Sequence, residues 1–317
     1  MSELSIEKYD LHKVRNDVYS LETDDEKYII KTFNNSGLKK KINNFRSGKV
    51  TRFDNEIKVY ELLETISFKF FNHPKLIKTD NETYIVCEYI KGKEGWDKKL
   101  INQENLIAGL LEFQFSKIKV GKSILQKITS MFQRKIPNKI ICWSLKLIDR
   151  PVDFIKVFKL NVLLLHEIIF YKPRGDCLFT HNDLFRFNNM INTIDGCLYI
   201  YDFEFAMLEN KWFLIDIYDL SFDLEKLELD IKFFSEYIKQ LSNVISLDKC
   251  IYYLEKQTRI ILIRKILGVS MTAKASLDNK EQCKKFIKEI LLNDKKYDNW
   301  YTKNIVPICE AVQKEKS

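Results

Sequence analysis

The chain has 317 residues, 45% of them hydrophobic and 13% aromatic, with a formal net charge of +8. This is enough apolar material for one large domain or two modest lobes, and it marks an ordinary globular protein. Seven cysteines, odd in number and without a CxxC pair, exclude a disulfide framework or a zinc ribbon and point to a reducing cytoplasm. The opening MSELSIEKYDLHKVRND lacks an apolar signal region, and the most apolar stretch, NVLLLHEIIF, is too short and polar to cross a bilayer, so a soluble, cytoplasmic protein is expected.

In chain order, VYSLETDDEKYIIKTF alternates about a TDDE turn and predicts a hairpin. A lysine-rich connector follows. RFDNEIKVYELLETI then places Phe53, Ile57, Tyr60 and Leu63 at helical spacing, with Glu56 beside the stripe. KLIKTD and ETYIVCEYI read as two further strands, which completes a small antiparallel lobe over residues 1–91. From residue 92 to residue 317 the pattern is mainly helical. Within it, a basic helical insert at about 102–165 is punctuated by Pro137 and Pro151. NVLLLHEIIFY reads as a buried helix, NMINTIDGCLYIYDFEF as a hairpin turning at Asp195 and Gly196, and the text from Asp223 onward as amphipathic helix.

Between 117 and 176 only Asp149, Asp153, Glu167 and Asp176 offset a run of lysines and arginines. Such a region is either a solvated basic face or an attractor of phosphates, anionic membrane lipid or an acidic substrate. No RNP-like or helix-turn-helix signal accompanies it, so nucleic acid is not an expected partner.

The chemistry concentrates in THNDLFRFNNM. His181, Asp183 and Asn188 fall in the order H-x-D-x-x-x-x-N, and Asp202 follows at the end of the hairpin. Phosphoryl transfer needs residues of these types. One carboxylate orients the attacking hydroxyl and accepts its proton, while an amide oxygen and a second carboxylate hold magnesium against the nucleotide phosphates. Taken singly, each residue has a plainer explanation: a hydrogen-bonded buried His, an exposed strand Lys, a solvated helix Glu. Their order along the chain is what argues against coincidence.

THNDLFRFNNM and IYDFEFA resemble the catalytic loop and the metal-binding segment of the aminoglycoside phosphotransferase and choline kinase family. That resemblance implies an α+β, bilobal, protein-kinase-like fold, in which a small antiparallel β lobe with one helix precedes a larger helical lobe. It implies Asp183 as catalytic base, with His181 supporting the loop and Arg186 beside the base, and Asn188 and Asp202 as Mg2+ ligands with Glu204 close by. Lys31 would meet the α- and β-phosphates of ATP and Glu56 would hold Lys31. The backbone at Glu88, Tyr89 and Ile90 would meet the adenine. Asp219 would buttress the catalytic loop, with Asp216 the second choice.

The chain departs from the family in two places. The turn expected over the phosphates has Asn16 and Asp17 and no glycine, and Phe185, Arg186 and Phe187 stand where His, Pro and Gly are usual. AMLENKWFLIDIYDL leaves little room for a peptide-holding segment, so a small hydroxylated acceptor is expected. Acidic Asp223, Glu225, Glu228 and Asp230 fit an amino alcohol or aminoglycoside, whereas the basic insert fits a sugar or lipid-linked glycan. The glycine-free turn also fits a second class, a nucleotide-binding pseudokinase or scaffold.

Overall fold

A computed structural model describes residues 11–15, 18–23, 26–32, 52–80, 83–116, 144–171, 178–184, 187–223, 225–270 and 277–316. Asn16, Asp17, Phe185, Arg186 and residues 117–143 of the basic insert, Trp143 among them, lie outside the described residues.

The alternating stretches near the N-terminus form strands β1 (Leu11–Arg15), β2 (Val18–Glu22) and β3 (Lys27–Thr32), followed by helix α1 (Arg52–Leu63) and strands β4 (Phe71–Asn72), β5 (Leu76–Thr79) and β6 (Tyr84–Glu88). Five of these strands make an antiparallel sheet in the order β1-β2-β3-β6-β5. Side chains alternate across a strand. Tyr28 and Ile30 of β3 therefore bury with Leu21 and Val86 in a small cluster, and Lys31 projects from the opposite face toward α1. On α1 the buried residues Asn55, Glu56, Ile57, Val59, Tyr60 and Leu63 recur at helical spacing, while Lys58 is exposed.

The remaining chain contributes β7 (Lys93–Glu94), α2 (Gln103–Gln114), α3 (Asp153–Phe170), β8 (Leu178–Thr180), β9 (Met190–Asn192), β10 (Leu198–Ile200), β11 (Met207–Asn210) and α4 (Ile215–Ser221). After these come the short strands β12 (Phe222–Asp223) and β13 (Glu228–Leu229), then α5 (Ile231–Val244), α6 (Leu247–Ser270), α7 (Leu277–Phe286), α8 (Asp294–Asn304) and α9 (Val306–Lys316). The expected hairpin β9–β10 turns at Gly196, whose φ of 84° is one that glycine adopts without strain. This hairpin is the centre of a sheet in the order β4-β10-β9-β7, so β4 joins the strands that follow the loop after β8. At the end of the interlobe connection, a Cβ on Gly92 would lie 2.3 Å from the carbonyl oxygen of Asn192, an approach only glycine permits.

Two sequence expectations change. Where helix is expected from Asp223, β12 (Phe222–Asp223) pairs antiparallel with β13 (Glu228–Leu229), and helix resumes at Ile231. Asp223 Oδ1 accepts from the amides of Glu225 (2.8 Å) and Lys226 (3.2 Å), and Asp230 caps α5 by accepting from Phe233 N at 3.0 Å. Among the described side chains of α3, Val157, Leu160 and Leu164 are in the core, but Phe154, Ile155, Phe158, Val162 and Phe170 are more than half exposed. Its N-terminal Asp153 is tied to Lys288 at 2.9 Å, which draws the acidic groups of this stretch toward the C-terminal helices. Among the described residues no helix is long and apolar enough to cross a membrane.

Candidate active site

Lys31, Glu56 and Asp202 converge from three separate elements. The Lys31 Nζ donates to Glu56 Oε2 at 2.6 Å and also to Oδ1 of Asp202, which lies 171 positions away in sequence. Burial alone would lower the Lys31 pKa, but Glu56, Asp202 and Glu204 outweigh it and hold the ammonium above its ordinary range. Burial also pushes Glu56 up to about 7 against the pull of Lys31, and the charges of Asp202 and Glu204 add to the rise. One ammonium thus faces three carboxylates. Asp202 itself sits at φ 68°, ψ 58°, a left-handed conformation that costs a non-glycine residue about 1–3 kcal/mol and concentrates at functional sites.

The loop after β8 is held from beneath. Asp216, on α4, is fully buried and accepts from the backbone amides of His181 (2.9 Å) and Asn182 (2.8 Å). Burial raises its pKa above the ordinary carboxylate value, opposed by His181 and by these amides. Asp219, one turn along α4, accepts from Leu184 N at 3.3 Å and forms an ion pair with Lys265 of α6. Asp216 is therefore the principal buttress and Asp219 the second, the reverse of the sequence ranking; the three-residue spacing gave no means to order them.

The ring of His181 is buried, its Nε2 donates to Tyr201 O at 2.9 Å, and its Nδ1 has no hydrogen-bond partner among the described residues. Asn182 adopts φ 65° and bridges outward, donating to Phe205 O at 2.9 Å while accepting from Asn210 at 3.1 Å.

The two asparagines that end the loop differ. Asn188 is exposed. Asn189 is buried, takes φ 61°, and its Nδ2 donates to both Asp183 O (2.9 Å) and Asp183 Oδ2 (3.2 Å). Its own carbonyl accepts from Tyr201 N, next to Asp202, at 3.0 Å. The structure therefore brings Asn189, and not Asn188, to Asp183. Phe187, at φ 59°, packs its ring against Trp96 (5.1 Å) and Phe233 (6.3 Å), so the position where glycine is usual is anchored by aromatic contact. Arg186 lies outside the described residues.

No family model and no curated protein matches the chain. Solved structures do. A choline kinase from Cryptosporidium parvum Iowa II aligns with a TM-score of 0.60 at 14% identity, over 98% of this chain and 95% of that one. An ethanolamine kinase from Plasmodium vivax aligns at 0.59 and 14% identity, over 92% and 84% of the respective chains. The AMP-bound complex of a spectinomycin phosphotransferase aligns at 0.56 and 12% identity, over 95% and 92%. The chain has the fold of the protein-kinase-like small-molecule kinases.

On this kinase fold, β6 runs into the interlobe connection, and the amides of Glu88 and Tyr89 are already committed to Lys75 O (3.0 Å) and Lys27 O (3.3 Å). Of the three expected adenine-facing residues, only Ile90 keeps its amide clear of these two bonds; Tyr89 exposes its ring, with the Lys27 ammonium 4.9 Å from the ring centroid. Of the acidic residues weighed for an amine acceptor, Asp223 and Asp230 are engaged with backbone amides, while Glu225 and Glu228 are exposed.

Among the described residues no cluster of three or more His, Cys, Asp or Glu side chains is arranged to hold a metal. Magnesium does not require one, since it is held by one or two carboxylates together with substrate phosphates. The hard oxygens of Asp202 and Asn189, in a site with more carboxylate than ammonium, are a donor set that fits it.

Three residues near the site were missed or ranked too low from the sequence. Asn55 lies next to Glu56 on α1 and is fully buried. Asp216 was ranked second. Lys265, on α6, pairs with Asp219, and burial drives its pKa down to about 8 against the pull of Asp183 and Asp216.

Proposed function

We propose that the protein is an ATP- and Mg2+-dependent phosphotransferase that moves the γ-phosphoryl group to a hydroxyl of a small molecule. The observation that carries this reading is the meeting of Lys31, Glu56 and Asp202 at one point, beside a loop that presents Asp183. In the reaction, the acceptor oxygen forms a bond to the γ-phosphorus as the bond to the β,γ-bridging oxygen breaks, and the hydroxyl proton goes to Asp183. Asn189 keeps the Asp183 carboxylate in one orientation through its 3.2 Å bond. Lys31, held by Glu56, offsets the charge of the α- and β-phosphates. Asp202 and Asn189 are the residues we assign to magnesium, with Glu204 near by, and the ion when bound neutralises charge on the β- and γ-phosphates. Most of the acceleration then comes from positioning and fixed charge.

For the acceptor, we infer a small hydroxylated compound. Three structural relatives are a choline kinase, an ethanolamine kinase and a spectinomycin phosphotransferase, which makes amino alcohols and aminocyclitols the first candidates. Sugars and lipid-linked glycans follow because of the basic insert.

The test is ATP turnover by the wild type and Asp183→Asn against choline, ethanolamine, spectinomycin and a sugar panel. The variant should lose about 10²-fold or more in kcat, the range associated with removing a general base. Undiminished turnover by Asp183→Asn rejects the assignment. Stabilisation by Mg-ATP without transfer to any acceptor identifies a nucleotide-binding pseudokinase instead.

A further inference from the structure

Asn55 is a polar side chain with no exposure in the first turn of α1, and its amide nitrogen reaches away from its own helix. Its Nδ2 reaches three backbone carbonyls of one distant segment: Phe203 O at 3.2 Å, Glu204 O at 3.2 Å and Ala206 O at 3.1 Å. An amide has two protons, so the three acceptors share them. The segment is the short 3-10 turn Phe203–Phe205, which follows Asp202 directly and closes on itself through Ala206 N to Phe203 O at 3.0 Å. Tyr60, a little over one turn beyond Asn55 on α1, packs edge-on against Phe203 with ring centroids 5.1 Å apart. Two adjacent residues of α1 therefore grip the same piece of chain in different ways. Glu56 reaches Asp202 only through Lys31, by charge; Asn55 reaches the backbone after Asp202 directly and without charge.

The difference matters once nucleotide arrives. Glu56, Asp202 and Glu204 repel one another, and Lys31 is the cation that reconciles them. When the Lys31 ammonium is shared with phosphate, that link weakens, while hydrogen bonds from a neutral amide to carbonyls persist. We propose that Asn55 is a positioning residue of the phosphotransfer site, which holds the segment carrying Asp202 and Glu204 against α1 whatever Lys31 binds. The inference rests on the reading of the chain as a Mg2+-dependent phosphotransferase.

The test compares full-length wild type with Asn55→Leu, which keeps the size and loses the donors, and with Asn55→Asp, which turns a carboxylate toward three carbonyls. ATP turnover with choline, ethanolamine or spectinomycin is measured while Mg2+ is titrated, below the unfolding midpoint of each protein. Amide hydrogen exchange is followed over residues 203–206. Asn55→Leu should lower kcat about tenfold and raise the Mg2+ concentration for half-maximal rate several-fold, with KM for ATP within about twofold. Exchange over 203–206 should quicken, and Asn55→Asp should be impaired at least as much. A merely structural role would lower the folded fraction and leave the Mg2+ requirement where it was; that result overturns the inference. If Asn55→Leu does not fold, Asn55→Ser is read by the same two measurements. A wild type that neither binds nor turns over Mg-ATP defeats the kinase reading and this inference together, whereas an active wild type matched by its variants defeats this inference alone.

Discussion

Around Lys31 the site is assembled by charge across long sequence separations, one ammonium against Glu56 and Asp202 with Glu204 near by. Around Asp183 it is assembled by backbone amides: His181, Asn182 and Leu184 donate into Asp216 and Asp219 beneath the loop, and Asn189 closes it from above. The first arrangement responds to anything that changes charge, whether pH, nucleotide or metal. The second stores local strain, with Asn182, Phe187 and Asn189 all at positive φ, and is indifferent to the ligand so long as its buried carboxylates stay in place. The side around Lys31 is thus held by charge, and the side around Asp183 by hydrogen bonds from the loop's own backbone.

Breaking the side around Asp183 should cost the most. Asp216→Ala leaves two buried loop amides without an acceptor, and urea denaturation at neutral pH should show a loss on the order of 3 kcal/mol with phosphotransfer abolished. Asp216→Asn, which retains an accepting oxygen, should lose less. The next test contrasts neighbouring residues: Asn189→Ala should reduce kcat about tenfold or more, since it frees the Asp183 carboxylate, while Asn188→Ala stays within about twofold of wild type. Equal effects at the two positions would show that the loop is not fixed as described.

The smallest effect sharpens the charged side. The Glu56 pKa is raised to about 7 in the folded protein, so the folded state binds this proton more tightly than the unfolded chain does. Its contribution to stability is therefore present below the ordinary glutamate range and lost as pH rises toward about 7. Thermal unfolding of the nucleotide-free protein at about pH 5 and about pH 7.5 should show the wild type losing roughly 2–4 °C more than Glu56→Gln over that window.

Much of the site was legible in the sequence because its parts sit on regular elements. Strict alternation in YIIKTF puts Lys31 on the face opposite Ile30, and helical spacing in RFDNEIKVYELL puts Glu56 beside the buried stripe. The hairpin turn at Gly196 returns the chain so that Asp202 follows Asn189 in space. Asn55 was not legible, since an asparagine in a helix reads as solvated until the segment 203–206 is placed against it. Lys265 was hidden for the same reason, as its partner Asp219 lies on another helix.

The sequence by itself determined which strands and helix carry Lys31 and Glu56 and that Asp202 ends a hairpin, because periodicity and residue type are local properties. Only the tertiary structure decided between Asn188 and Asn189 and between Asp216 and Asp219. Adjacent or one-turn-apart residues of the same type carry the same local information, and which of them meets Asp183 or the loop amides depends on left-handed turns and buried contacts that form when distant elements pack.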